Sequence, residues 1–105
     1  MNGYVTNIES DTLENNDYRR VLYTGRHTQL VLMTLQPGEE IGQETHDEHD
    51  QFIRVEGGTG KVTLNDDNVI NTARDVPLRL YTLYSPPEHA DGTVHATKQD
   101  ELAEH

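Results

Sequence analysis

Between Glu44 and Gln51 the chain reads E-T-H-D-E-H-D-Q, which places a carboxylate, an imidazole and a carboxamide just ahead of an apolar stretch from Phe52 to Val55. Glu44 and His46 are two apart, so on an extended strand both side chains leave the same face, and a short reversal can return Gln51 toward them. A carboxylate oxygen, an imidazole nitrogen and an amide oxygen that converge form a donor set for Mn²⁺, Fe²⁺, Ni²⁺ or Zn²⁺, with water completing the shell. Such an open site polarises a carbonyl oxygen or holds a bidentate oxygen ligand. The same run, with Asp47, Glu48, His49 and Asp50, also fits a solvated acidic loop, because E-x-H-x4-Q recurs by chance.

The elements that must position these groups are short and β-like. Gln29 to Leu35 is apolar on both faces, as in a strand packed between a core and a second covering surface, part of which another subunit would supply. In Gln51 to Glu56 the alternation sets Gln51, Ile53 and Val55 on one face and Phe52, Arg54 and Glu56 on the other, which turns Gln51 inward. Gly57-Gly58-Thr59-Gly60 reads as a turn that permits positive φ, and Val62 and Leu64 carry the core face of the returning strand. Asn65 to Asn68 is a run of turn formers. Strands resume at Val69-Ile70 and from Leu78 to Tyr84, with Leu78, Leu80, Thr82 and Tyr84 on one side. Upstream, Tyr4 to Ile8 reads as an edge strand, Glu9 to Asp17 as irregular, and Arg20 to Tyr23 as the start of the next strand. Thr97 to Glu104 suits one short helix. About six or seven short strands separated by turns predict an all-β antiparallel sandwich or barrel.

The composition narrows the function. A length of 105 residues sets one domain, 1–105, with 97–105 a loosely held or helical tail, so an active site lies inside the fold or at a subunit interface. Nineteen acidic against eight basic residues give a net charge of −11, which argues against nucleic acid and membrane surfaces as partners. Cysteine is absent, which excludes thiolate ligands and thiol nucleophiles. Without a basic and apolar leader the expected location is cytoplasmic. His27 reads as a turn residue, while His89 and His95, in P-P-E-H-A-D-G-T-V-H, either fold over a barrel mouth or stand exposed on a loop. Tyr81 and Tyr84 suit core or interface positions, and Arg54, beside Phe52 and Glu56 on an outward face, suits an ion pair or a subunit contact.

The spacing Gly38, Glu44, His46, Gln51, Gly58 resembles the first signature motif of the cupin superfamily, which carries His where Glu44 stands and Glu where Gln51 stands. The strings QLVLMTLQPGEEIG, DQFIRVEGGTGKV and YTLYSPPEHADGTVH are similar to small single-domain cupins of the type-2, mannose-6-phosphate isomerase-like subgroup. That resemblance implies a double-stranded β-helix, or jelly roll, often homodimeric, with a divalent metal inside the barrel. It also implies a small sugar-like or oxygenated-acid ligand, handled by a metal-dependent isomerase or oxidoreductase or simply bound. Of the family's second motif only Asn68-Val69-Ile70-Asn71-Thr72 remains, so the jelly roll is shortened by about two strands between Leu64 and Val69, and Asp67 stands where a fourth, histidine ligand belongs. The expected metal set is therefore Glu44, His46, Gln51 and Asp67, with no catalytic residue assigned. In the resembled topology the strands at 61–64 and 69–72 are antiparallel neighbours, so a hairpin through Asn65 to Asn68 closes the fold and exposes two strand edges. The alternative function is a metal-free cupin scaffold serving in dimerisation or ligand binding.

Overall fold

A computed structural model of the chain describes residues 3–41, 50–63 and 68–103. The order is α1 (Ile8–Glu14), β1 (Arg19–Thr24), β2 (Gln29–Leu35), β3 (Glu40–Ile41), β4 (Asp50–Gly57), β5 (Gly60–Thr63), β6 (Asn68–Asn71), β7 (Leu78–Ser85), β8 (Val94–His95) and α2 (Lys98–Ala103). All strand pairs are antiparallel. They form a five-stranded sheet, β4-β7-β2-β1-β8, facing a three-stranded sheet, β3-β6-β5. This is the expected all-β jelly-roll sandwich.

Directly paired residues of antiparallel strands share a face, so the register sorts inward from outward side chains. Met33 pairs with Leu80, and Leu35 with Leu78. These four, with Val31, Ile41 and Val69, build the core between the sheets. Each fully buried side chain of this kind stabilises the fold by about 1.5–3 kcal/mol.

Two expectations upstream are corrected. Tyr4 to Ile8 is not a strand, and the segment after it is not irregular, because Asn7 caps a helix by accepting from the Ser10 amide at 3.1 Å. Glu9 and Asp11 in the first turn favour the same helix through its dipole. Nor does the outer face of β2 wait for another subunit at Leu32 and Thr34, each 2% exposed. The chain covers them itself: Asn15 Nδ2 donates to Thr34 Oγ1 at 3.0 Å, and that hydroxyl donates to Asn15 O at 2.7 Å. Arg79 of β7 fastens the same segment, donating to Asn15 O and to Asn16 Oδ1.

On the opposite flank the sandwich is open. β4 ends its sheet, and so does β5. β5 and β6 are neighbours in a hairpin, with Val62 opposite Val69, as the shortened topology requires. Val55 pairs with buried Leu80, so it and Val62 both point inward, yet they remain 40% and 47% exposed. Among the described residues no strand covers them.

The β4–β5 turn rests on one glycine. Gly58 has φ +89°, and a Cβ there would lie 2.4 Å from Pro77 O, a backbone atom with no freedom to retreat. Gly58→Ala should therefore lower stability by about 2–3 kcal/mol, seen as a Tm fall of roughly 10 °C or more in thermal unfolding. An unchanged Tm would refute this account of the turn.

Candidate functional site

Of the four expected metal ligands, Gln51 is placed by the structure, while Glu44, His46 and Asp67 lie outside the described residues, as do His49 and Leu64. Gln51 stands opposite Tyr84 on the inward face of β4, as its parity predicts. Its Nε2 donates to Thr82 Oγ1 at 3.1 Å, and among the described residues no hydrogen bond engages Oε1, the acceptor of the amide. The segments that carry the other three leave from adjacent strands. Ile41, at the end of β3, pairs with Val69, and Asn68, at the start of β6, donates through Nδ2 to Glu40 Oε2 at 3.2 Å. Among the described residues no three carboxylates or imidazoles gather closely enough to hold a metal ion.

Asn71, the surviving residue of the second motif, has a structural task. Its buried amide donates to Leu35 O and Val76 O, both at 2.9 Å, and accepts from the Ala73 amide at 2.8 Å. The end of β2 and the 72–76 turn are thereby pinned together. Arg54 pairs with Glu56 on the outer face, an ion pair being one of the two roles open to it.

A second polar constellation lies on the same inner surface, and the sequence reading did not assemble it. The Arg19 side chain is fully buried. Its Nε donates to Glu101 Oε2 at 2.5 Å and its Nη2 to Glu101 Oε1 at 3.2 Å, a two-pronged grip on a carboxylate brought by α2. Nη1 reaches Tyr84 OH at 3.2 Å and lies 2.7 Å from His89 Nε2. A guanidinium only donates, so that ring nitrogen accepts and the ring proton sits on Nδ1. His95, opposite Arg19 in the β1–β8 pair and 6% exposed, brings Nδ1 to 3.3 Å from Glu101 Oε2.

Gln29 holds this arrangement in place. Its buried amide accepts from the Glu88 and His89 amides at 3.2 and 2.9 Å, and donates to His89 O at 2.7 Å. This clamp fixes the loop after the cis Ser85–Pro86 peptide and aims His89 at Arg19. His89 and His95 thus fold into the barrel end, one of the two placements open to them. Arg19 was legible by parity, since it shares a face with Val21, but a strand begun at Arg20 leaves it out.

Comparison with known proteins agrees with the architecture. A family profile described as a cupin domain matches residues 31–77. The solved structure of BH2720 from Bacillus halodurans superposes with a TM-score of 0.85 at 40% identity, covering 97% of this chain and 95% of that one. The uncharacterized protein YrkC of Bacillus subtilis is 42% identical over 124 residues, covering 95% of this chain and 66% of YrkC. The uncharacterized protein L612 of Acanthamoeba polyphaga mimivirus is 38% identical over 113 residues, covering 87% of this chain and 70% of L612. The chain belongs to the cupin family, and it spans about two thirds of the length of these two relatives. The alignment with YrkC is longer than the 105 residues of this chain, so it includes positions that this chain lacks.

Burial pushes the Glu101 carboxyl up, but its hydrogen bonds and ion pair with Arg19 outweigh burial, and the group is held below its ordinary value of 4.5. A carboxyl depressed in the folded state stabilises the protein above its unfolded pKa, and this support is lost as pH falls through the lower folded value. Glu101→Gln should therefore cost about 1–2 kcal/mol near neutral pH, discounted for the partial exposure of Glu101. Urea midpoints of variant and wild type should converge as pH drops below 4.5, and a gap independent of pH would refute this role.

Proposed function

We propose that the barrel interior binds a small oxygenated ligand, with a divalent cation held by Glu44, His46 and Gln51, and with Asp67 as an oxygen donor in place of the missing histidine. The observation that carries this reading is Gln51, which faces inward with its amide nitrogen engaged by Thr82 and its carbonyl oxygen, among the described residues, available to coordinate. The donor set fits Mn²⁺, Fe²⁺, Ni²⁺ or Zn²⁺. When bound, such an ion would polarise a carbonyl or enediol oxygen of the ligand. The chain's own part is to orient: Thr82 fixes the Gln51 amide, and the buried side chains of Tyr84 and Gln29 wall the inner surface beside it. A sugar-like molecule or an oxygenated acid, as in the mannose-6-phosphate isomerase-like branch of the family, suits this polar interior. Elemental analysis of protein purified without a metal-affinity column should find about one divalent ion per chain, lost in His46→Ala. Metal-free wild type whose Tm ignores both chelator and added cation would overturn the reading.

A second role, assembly, is favoured by the open flank. Among the described residues β4 and β5 each have one edge without a neighbouring strand, beside exposed Phe52, Val55 and Val62, and such edges recruit strands unless blocked. The occupant we propose is a second copy of this chain. Antiparallel pairing of β4 with its twin, with Ile53 on the two-fold axis, sets Phe52 against the partner's Arg54, a cation over an aromatic ring. Light scattering should give about twice 11.9 kDa for wild type and a monomer mass for Val55→Lys. Monomeric wild type would remove the assembly role.

A further inference from the structure

The outer face of the larger sheet is covered along only part of its length. The chain from α1 to Asp17 closes it over Thr34. Nearer the β1–β2 turn, the directly paired residues Tyr23, Leu30, Leu83 and Phe52 form an apolar row across four strands, and Phe52 at its end is 53% exposed. At the other end of the row Tyr4 stacks on Tyr23, ring centroids 4.9 Å apart and planes 11° from parallel, while remaining 42% exposed itself. A lone apolar side chain at a surface is ordinary, but a contiguous row ending in a ring pair marks a place where something binds.

Against this row lies a cavity of about 400 Å³, within the range of small-ligand sites. Its floor is Leu30 and Leu83, its wall the two stacked tyrosines, and its rim the β1–β2 turn with Arg26 at the tip. That turn is pinned: the Gly25 amide donates to Thr28 O at 2.8 Å, and the Thr28 and Ser85 hydroxyls bond at 2.9 Å, tying the tip to the end of β7. Arg19, Arg20 and Arg54 are each fastened to a carboxylate, whereas Arg26 has neither an ion pair nor a hydrogen bond among the described residues. A fixed turn thus offers an unused planar cation beside an aromatic wall.

We propose that this cavity is a second ligand site, outside the barrel, for a planar aromatic ring bearing a carboxylate. The ring lies on Leu30 and Leu83 and extends the Tyr4–Tyr23 stack, and the carboxylate takes the Arg26 guanidinium, whose flat fork matches it. Both halves of the ligand are needed: an uncharged ring leaves the cation unused, and an anion without a ring leaves the apolar floor and the tyrosines wet. On a chain of net charge −11 most of the surface disfavours an anion, which directs the carboxylate to this turn. Leu30 and Leu83 point away from Gln29 and Thr82, their inward neighbours on β2 and β7, so the site is separate from the interior and independent of any metal there.

The test titrates naphthoate and its uncharged amide, naphthamide, by calorimetry in chelator into wild type, Arg26→Gln and Tyr4→Ala, and maps the amide NMR shifts that naphthoate causes in wild type. Naphthoate should bind wild type about threefold or more tighter than either variant. Naphthamide should bind wild type more weakly than naphthoate does and should not distinguish it from Arg26→Gln, which isolates the charge contact from general apolar adhesion. The largest shifts should fall on residues 23–30 and on Leu83. The shift map uses wild type alone, so it decides even if a variant folds poorly. No binding of naphthoate, equal naphthoate affinity for wild type and Arg26→Gln, or an equal loss of both probes in that variant would overturn the proposal. Shifts centred on Gln51 and Thr82 would overturn it too, and would place the probe in the barrel instead. So would a wild-type dimer that Leu83→Lys dissociates, because a second copy of the chain would then cover this face.

Discussion

A guanidinium cannot discard its charge, so burying Arg19 obliges the rest of the chain to bring acceptors to it. Those acceptors come from far along the sequence: Glu101 is 82 residues away, His89 is 70 and Tyr84 is 65. Meeting this one requirement places β8, the loop around His89 and α2 against β1. Little apolar surface would otherwise hold α2 there, and the Gln29 clamp makes sense as the device that keeps the loop at the right height.

The inner surface is consequently divided. Along β2 and β7 one end carries Leu35, Leu78 and Leu80, closed by Ile41 and Val69 of the smaller sheet, and supplies the burial that stabilises the sandwich. The other end carries Gln29, Thr82 and Tyr84, each with its polar atoms engaged. Burying such groups costs stability unless partners are supplied, and here they are supplied by side chains of neighbouring strands and by the backbone of a loop. A fold that collects its polar side chains at one end, when apolar ones would pack at lower cost, has an interior suited to a polar ligand.

Much of this was legible in the amino-acid order because strands with one buried face write their parity into the sequence. Gln51, Ile53 and Val55 faced as alternation required, and the unbroken apolar run of β2 correctly signalled burial on both sides. What covers the second side was not legible, since α1 is a seven-residue helix whose existence depends on the Asn7 cap and on packing across β7, β4 and β2, not on periodicity. The Arg19 constellation was hidden for a related reason. Its members are individually ordinary and separated by tens of residues, and only the closed sandwich makes them neighbours.

The β5–β6 hairpin carries a further implication. Because these two strands run in opposite directions and are bonded side by side, whatever the chain strings between them must leave from the end of one and return to the adjacent end of the other. Excursions that satisfy this contain an even number of strands. Adding or removing a single one would bring β6 in from the opposite end, parallel to β5, and break the antiparallel ladder that sets Val62 opposite Val69. Length variation at this point of the barrel is therefore quantised in hairpins.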